Sequence, residues 1–259
     1  MNENIKHHRG HFIWHELFSP DLEASKKFYG GLFGWNFATT PMPSGEGSYT
    51  TISVGDRPVA GLMDLAMIQG EGAPPHWMPY VSIANIDESA AAAKANGGSV
   101  AVEPMSIEGI GRMTVIGDPQ NGHSSCIDFT PGDPDQVERP GPGMFCWDQL
   151  NSSDPASAAS FYGKVYGWQQ KEFPHGGDMS VFHAGEWPVA SMMQAPAGVP
   201  SHWLCYIVVE ELTRGNELVE ELGGEVMIPK IEIPEVGTAS VVRDNVGAGL
   251  CLFEPPKVD

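Results

Sequence analysis

Residues 14–35 read WHELFSPDLEASKKFYGGLFGW, and residues 147–168 read WDQLNSSDPASAASFYGKVYGW. Nine of these twenty-two positions are identical, at a constant offset of 133 residues. Self-similarity at a fixed spacing is the signature of a repeated structural unit. The 259-residue chain is therefore predicted to hold two copies of one domain, so a functional site proposed in one copy can be checked in the other.

Each copy is predicted to consist of two smaller modules with the element order βαβββ. In the first module of each copy, a strand leads to a helix capped by Asp21 or Asp154, and Gly34 ends the first of these helices. Aspartate is a preferred residue at the start of a helix, and glycine favours the turn that ends one. In the second modules, the helices are predicted to stop at Gly97–Gly98 and Gly223–Gly224, with Asp87 as the cap of the former.

The fold class that follows is α+β, with four βαβββ modules whose curled mixed sheets surround clefts. The first domain is predicted at residues 8–130, with modules at 8–67 and 76–130. A linker rich in proline, glycine and charge covers residues 131–142. The second domain covers residues 143–256, with modules at 143–195 and 202–256. The pattern does not decide which modules pair with each other.

Composition narrows the classes of partner. The net charge is −19, from 14 basic and 33 acidic side chains, and this argues against nucleic acid and anionic membranes. The longest apolar runs are far shorter than a membrane span, and the N-terminus has no apolar signal core. The four cysteines show no paired spacing. We expect a cytoplasmic protein with free thiols, a monomer or homodimer, whose partner is a small molecule.

The motifs resemble those of the vicinal oxygen chelate superfamily, which includes glyoxalase I, extradiol dioxygenases and bleomycin-binding proteins. The resemblance rests on D-x-x-x-S-x-x-F-Y-x-x-x-F-G-W at residues 21–35, and on IGRMTVIGDPQNG at 110–122 with VGTASVVRDNVG at 236–247. The resemblance covers nearly the whole chain, and within the superfamily the chain is similar to the tandem, glyoxalase-related group. It implies paired modules around a cleft, where one divalent metal held by His, Glu or Gln grips two substrate oxygens.

The positions that the resemblance assigns to metal ligands carry other residue types here. Counted from the helix caps, the glycine stops and the last-strand glycines, they fall on Trp14, Trp147, Met78, Leu204, Cys126 and Cys251. An indole cannot bind a metal, and the expected His/Glu set is absent. We therefore expect no cofactor. The alternative is one divalent metal ion in a displaced site made by Glu16, His76 and Asp128.

Strand alternation predicts which side chains line the clefts. Side chains alternate across a strand, so Leu17 and Leu150 should face the helices. On the last strands, Cys126 and Asp128, like Cys251 and Phe253, are expected to face the cleft. Ile127 and Phe129 are expected to face the helix. The predicted ligand-binding residues are Trp14, Phe18, Met78, Tyr80, Cys126, Trp147, Gln149, His202, Leu204, Tyr206, Cys251 and Phe253.

Three residues are the candidates for catalysis: Glu16, His76 and Asp128. Glu16 is interpreted either as a general base in an apolar setting or as a hydrogen-bonded carboxylate without a catalytic task, and Asp128 in the same two ways. His76 and its counterpart His202 are either acid/base groups at the rim or residues that bond backbone in the joint between modules. Cys126 and Cys251 are more simply interpreted as small buried thiols.

Three functions are compatible with this pattern. The first is a protein that binds an aromatic or amphiphilic small molecule in a cleft without metal. The second is an enzyme, either a glyoxalase-like lyase or isomerase or a dioxygenase or hydroxylase, with a non-standard site. The third is a scaffold whose clefts are vestigial. Because several ligands are lost at once in both copies, we favour the binding protein.

Overall fold

The computed structural model describes residues 6–42, 47–68, 72–174 and 178–257. The first module contains β1 (Phe12–Ser19), α1 (Leu22–Phe33), β2 (Asn36–Pro41), β3 (Ser48–Val54) and β4 (Arg57–Asp64). The second contains β5 (His76–Ser82), α2 (Ile86–Ala95), β6 (Ser99–Ile107), β7 (Gly111–Gly117) and β8 (His123–Phe129). The order βαβββ is as predicted, and a single 3-10 turn at Leu65–Met67 follows β4.

The second half repeats this order. The third module contains β9 (Phe145–Ser152), α3 (Pro155–Val165), β10 (Gln169–Glu172), β11 (Ser180–Ala184) and β12 (Trp187–Gln194). The fourth contains β13 (His202–Val208), α4 (Leu212–Glu221), β14 (Glu225–Ile233), β15 (Gly237–Arg243) and β16 (Gly249–Glu254). None of the helices in the described parts of the chain combines the length and the apolarity that crossing a bilayer requires.

The predicted caps Asp21 of α1 and Asp154 of α3 are confirmed, whereas the predicted cap Asp87 of α2 is wrong. The Asp21 side chain accepts a hydrogen bond from the Ala24 amide, and Gly34 ends α1 with φ at 67°. Helix α2 begins two residues before the predicted position, because the side chain of Asn85 accepts from the Glu88 amide. Asp87, the predicted cap, lies in the first turn and pairs with Arg112 at 2.8 Å.

The strands form two mixed eight-stranded sheets, which confirms the α+β class. Their orders are β2-β3-β4-β1-β5-β8-β7-β6 and β10-β11-β12-β9-β13-β16-β15-β14. Within each module the first strand runs parallel to the last, as in the pairs β1–β4 and β13–β16, and the hairpins are antiparallel. This pairing places the first and last strand of every module side by side.

The chain also divides into two compact units that do not follow the sequence halves. One unit combines the second and third modules (residues 78–136 and 148–203), and the other combines the first and fourth modules (residues 14–77 and 204 onward). Each unit therefore takes one module from each copy of the repeat. The predicted halves at 8–130 and 143–256 stay a prediction.

A buried hydrogen-bond chain within one unit joins the first module to the fourth through Tyr29 and Asp244, and Trp77 at the start of β5 completes it. The indole of Trp77 donates to the Tyr29 hydroxyl at 2.9 Å, and this hydroxyl donates to Asp244 Oδ2 at 2.8 Å. The other oxygen of Asp244 accepts from the amides of Val246, Gly247 and Ala248 in the turn before β16. Tyr29 is fully buried. Burial, and then the charge of Asp244, raise the pKa of Tyr29 well above its usual value.

The second unit repeats this chain with the corresponding residues. Trp203 donates to the Tyr162 hydroxyl at 3.2 Å, and Tyr162 donates to Asp118 Oδ2 at 3.2 Å. The other oxygen of Asp118 accepts from amides in the turn before β8. The repeated tyrosines, tryptophans and aspartates of the motifs thus hold modules together, and they are not free to act on a ligand.

We predict that Tyr29→Phe lowers the free energy of unfolding by about 1–3 kcal/mol, because it leaves the Trp77 donor and Asp244 Oδ2 buried without a partner. Tyr162→Phe should cost a similar amount. Urea denaturation of the two variants and of the double variant measures this. Since each tyrosine serves its own unit, the two losses should add. A loss below about 0.5 kcal/mol for each variant would contradict this role of the hydroxyl.

Candidate functional site

The inner face of the first module is the side of its sheet that points away from α1. Leu17 on β1 is fully buried in the core that includes Phe28 and Leu32 of the helix. Strand alternation therefore directs Trp14, Glu16 and Phe18 to the other side, as predicted. Trp14 is partly exposed, whereas Glu16 and Phe18 are 4% and 9% exposed. This face combines aromatic side chains with one carboxyl group.

Only one of the two carboxyl oxygens of Glu16 has a hydrogen-bond partner among the described residues. The Tyr49 hydroxyl on β3 donates to Glu16 Oε2 at 3.3 Å, and the indole of Trp14 donates to the Tyr49 hydroxyl at 3.1 Å. Glu16 Oε1 is buried and has no hydrogen-bond partner among the described residues. A buried polar atom without a partner is unusual in a native structure and requires an explanation.

Gly61 on β4 makes the room in which this carboxyl group lies. It is the register partner of Glu16 in the parallel pair β1–β4. A Cβ atom at Gly61 would overlap both Glu16 Oε1 and the Tyr49 hydroxyl. Gly61 does not have a positive φ, so space and not backbone conformation explains why glycine is found here.

Burial controls the charge of Glu16. Desolvation raises the pKa of its carboxyl group from 4.5 to about 8, and the neighbouring donor groups of Tyr49 and Trp14 oppose this shift only in part. Glu16 is therefore mainly uncharged at neutral pH.

The third module offers an internal comparison, because an amide takes the place of the Glu16 carboxyl group there. Gln149 replaces Glu16 and pairs in register with Ser191, the counterpart of Gly61. Ser191 donates to Gln149 Oε1 at 3.2 Å. The Gln149 amide nitrogen is 3.0 Å from Asn151 Oδ1 and 3.1 Å from Met193 Sδ. The amide has partners on both its oxygen and its nitrogen.

Both candidate histidines contact the backbone of the joint, as one of the two interpretations predicted. His76 Nδ1 donates to the Pro74 carbonyl oxygen at 2.8 Å, and its ring stacks on Phe18 at 5.3 Å. His202 Nδ1 donates likewise to the Pro200 carbonyl at 2.8 Å, and its other nitrogen lies 3.3 Å from the Asn151 amide. Any role for them at the rim uses the second ring nitrogen.

The expectation that Cys126 faces the cleft is wrong. Tyr80 pairs in register with Ser125, whereas its counterpart Tyr206 pairs with Cys251. Ser125, not Cys126, therefore corresponds to Cys251. Cys126 is buried in the helix-side core with Ile86 and Ala93 of α2. The prediction places the last-strand position four residues after Gly122, whereas in the structure it lies three residues after it. A slip of one residue moves every side chain to the opposite face of the strand.

Asp128 shares this error, because it lies two residues after Cys126 on the same face of β8. Its carboxylate accepts a hydrogen bond from Arg9 at 2.7 Å. Its counterpart Glu254 accepts from the amide of Leu212, where α4 begins. The expectation that Ile127 and Phe129 face the helix is wrong for the same reason, since Ile127 occupies the place of Phe253.

Several predicted ligand-binding residues of the fourth module do lie together. Leu204, Tyr206 and Cys251 form one buried apolar cluster, against which Trp147 and Phe253 pack. Burial raises the pKa of the Cys251 thiol to about 12, and that of Cys126 to about 12 as well. Thiols of this kind are poor nucleophiles and poor metal ligands at neutral pH. Met78 and Tyr80 are buried on β5.

The side chains at the positions assigned to metal ligands do not fit a divalent metal. In the part of the chain that the structure describes, no three His, Cys, Asp or Glu side chains come together as a metal site would require. After the correction on β8, the positions in question carry Trp14, Trp147, Met78, Leu204, Ser125 and Cys251. Divalent metals in such enzymes bind imidazole and carboxylate, so we derive no chemistry through a metal.

Gly61→Ala should reduce the free energy of unfolding by about 1–3 kcal/mol, because the added methyl group displaces the Glu16 carboxyl and the Tyr49 hydroxyl. Gly141→Ala is the matched control, since a Cβ atom there meets nothing within 4 Å. Urea denaturation of both variants checks this. Equal effects at the two positions would contradict the role of Gly61.

Glu16→Gln should remove a pH dependence of stability. The folded-state pKa of Glu16 is raised to about 8, so its stabilising contribution is complete below about pH 4.5 and is lost as the pH rises through about 8. The variant, measured by urea unfolding at several pH values, should therefore gain a few kcal/mol relative to the parent between these limits. The exposed Glu186, changed to Gln, is the control. A constant difference across this range would show that Glu16 is ionised at neutral pH.

Comparison with known proteins supports the family assignment suggested by the motifs. The model of the Glyoxalase/Bleomycin resistance protein/Dioxygenase superfamily matches residues 8–127. CFP32 of Mycobacterium bovis, provisionally named a glyoxylase, is 29% identical over 98% of both chains. The anthracycline biosynthesis protein DauV of Streptomyces sp. is 31% identical over 93% of this chain and 92% of its own.

Solved structures show the same fold at low sequence identity. The Mn(II)-bound glyoxalase from Novosphingobium aromaticivorans superimposes with a TM-score of 0.63 at 15% identity, covering 97% of this chain and 84% of its own. The 2,3-dioxygenase LapB from Pseudomonas sp. KL28 gives 0.60 at 12% identity, covering 98% and 94%. Repeat, fold and sequence relatives agree that this chain belongs to the glyoxalase/bleomycin resistance/dioxygenase superfamily, also called the vicinal oxygen chelate superfamily.

Proposed function

We propose that this protein binds a small, mainly aromatic molecule at the inner face of its first module, without a metal. One observation carries the proposal: the β1 position that the superfamily uses for a metal ligand carries Trp14, beside the buried acid Glu16 and the ring of Phe18. Sites for small organic molecules are mostly apolar, with a few polar groups that set orientation. This face has that composition.

The aromatic groups offer a stacking surface for a planar ligand. Trp14 is partly exposed, and its indole nitrogen donates to the Tyr49 hydroxyl at 3.1 Å, which restricts the orientation of the ring before a ligand arrives. A ring held in place loses little conformational freedom on binding. Aromatic pairs prefer offset or edge-to-face contacts, and these add about 0.5–1.5 kcal/mol to the energy of area burial. The name of DauV refers to anthracycline biosynthesis, and this agrees with an aromatic class of ligand.

The difference between the first and third modules supports a ligand site in one copy of the repeat and not in both. Glu16, Tyr49 and Gly61 have as counterparts Gln149, Met179 and Ser191. The neutral amide of Gln149 is already bonded within its own module, whereas Glu16 retains a buried oxygen without a partner. We therefore place the ligand at the first module.

The environment of Glu16 also supports a second candidate function, a lyase or isomerase that transfers protons without a metal. A general acid or base works best when its pKa is near the working pH, and burial raises the pKa of Glu16 to about 8. The provisional name of CFP32 as a glyoxylase agrees with this class. Turnover that disappears in Glu16→Gln, while binding remains, would identify the enzyme.

Binding of 2-acetylnaphthalene, followed by quenching of tryptophan fluorescence, tests the proposed function. We expect the same dissociation constant before and after removal of metals with EDTA and dialysis. Trp14→Leu should weaken binding about tenfold, because it removes the stacking surface. Trp187→Leu is the matched control, since Trp187 is 68% exposed at the first position of β12.

Loss of binding on chelation would contradict the metal-free account. Equal weakening by Trp14→Leu and Trp187→Leu would contradict the location of the site at the first module. No quenching of the parent protein, at any soluble concentration of the probe, would contradict an aromatic ligand.

A further inference from the structure

We propose that Glu16 Oε1 carries a proton and donates it in a hydrogen bond to an oxygen acceptor of the bound molecule, which makes the first module selective for aromatic carbonyl compounds. This inference rests on the proposed function and names the class of ligand. It assigns to Glu16 the task of orienting the ligand through a neutral acid.

The position of the proton follows from the hydrogen bonds around the carboxyl group. The Tyr49 hydroxyl accepts from the Trp14 indole, so its own proton is directed to Glu16 Oε2. Oε2 is therefore an acceptor. The carbonyl oxygen of a neutral acid is a better acceptor than its hydroxyl oxygen, so we assign the proton to Oε1, the atom without a partner among the described residues. The group that completes this site has to accept a hydrogen bond.

The cost of the unpaired oxygen supports a ligand at this point. A buried polar group without a partner destabilises a protein by about 1–3 kcal/mol. The third module avoids this cost with Gln149 and Ser191, at the same positions of the same fold. The first module has instead Glu16 and Gly61, whose missing side chain leaves space for the carboxyl group. An acceptor atom from the ligand would remove the cost.

The surrounding groups favour a neutral carbonyl over a charged ligand group. The groups that shift the pKa of Glu16 are Tyr49 and Trp14, in addition to burial, and no charged side chain is among the causes. A cationic ligand group would require the ionised carboxylate in an apolar setting, and both charges would lose hydration. A carbonyl oxygen requires no ionisation and accepts the Oε1 proton directly.

The first test measures protonation without a ligand. In infrared difference spectra, the carbonyl stretch of a protonated carboxylic acid should be present at pH 6 and be lost between pH 7 and 9, and Glu16→Gln should lack this band. Absence of a band that Glu16→Gln removes would overturn the inference, because Glu16 would then be ionised. The proposed function would be unaffected by that result.

The second test compares three probes of similar shape: 2-acetylnaphthalene, 2-ethylnaphthalene and 1-(2-naphthyl)ethylamine. At pH 6.5 the ketone should bind about tenfold more tightly than the hydrocarbon, as expected for one hydrogen bond to a buried donor. This advantage should disappear at pH 9.5, where Glu16 has lost its proton. Glu16→Met should abolish it at both pH values, whereas Glu16→Gln, which retains an N–H donor, should retain part of it at both.

The outcomes separate the two proposals. Equal affinity for the ketone and the hydrocarbon, with Trp14→Leu still weakening both, would overturn the role of Glu16 and leave the aromatic site in place. Tightest binding of the amine would also overturn it, because Glu16 would then act as a carboxylate. Failure of every probe to bind would overturn both proposals.

Discussion

The packing of β1 against α1 determines what the inner face of the first module can do. Leu17 is fully buried beneath the helix, and this fixes the alternation that turns Trp14, Glu16 and Phe18 away from it. A slip of one residue would bring His15 to the inner face in their place. That imidazole is instead stacked on Phe145 at 4.0 Å on the other side of the strand. The strand thus presents an indole and an uncharged acid, where its superfamily offers a metal ligand.

The two copies of the repeat show what is structural and what is specific. The chains Trp77–Tyr29–Asp244 and Trp203–Tyr162–Asp118 are present in both units and hold modules together. At the position of Glu16, the described part of the third module has Gln149, whose amide is bonded within its own module. Because the copies share their fold and their core, the difference between Glu16 and Gln149 isolates the part of the molecule that is free to differ in function.

The sequence could predict the modules, the Asp21 and Asp154 caps and the faces of β1 and β9, because these depend on local patterns. Pairing across 215 residues between Tyr29 and Asp244 could not be derived from local patterns, although the repetition of both residues was a signal. Cys126 and Asp128 were assigned to the wrong face because the count began at Gly122. Counted from Asp118 and Asp244, which occupy the same place in their turns, β8 and β16 align correctly. The sequence does not predict Tyr49 as a site residue, because no motif surrounds it. The glycine at position 61, which leaves room for the Tyr49 hydroxyl, is the signal that could have indicated it.

We infer that the inner face of the first module carries an indole and a neutral acid instead of a metal centre. Elemental analysis of freshly purified, untagged protein, before and after incubation with Mn²⁺, Zn²⁺ and Fe²⁺, tests it most directly. We predict metal far below stoichiometric amounts in every sample, since the described side chains offer no suitable ligand set. A stoichiometric metal that survives dialysis would contradict it.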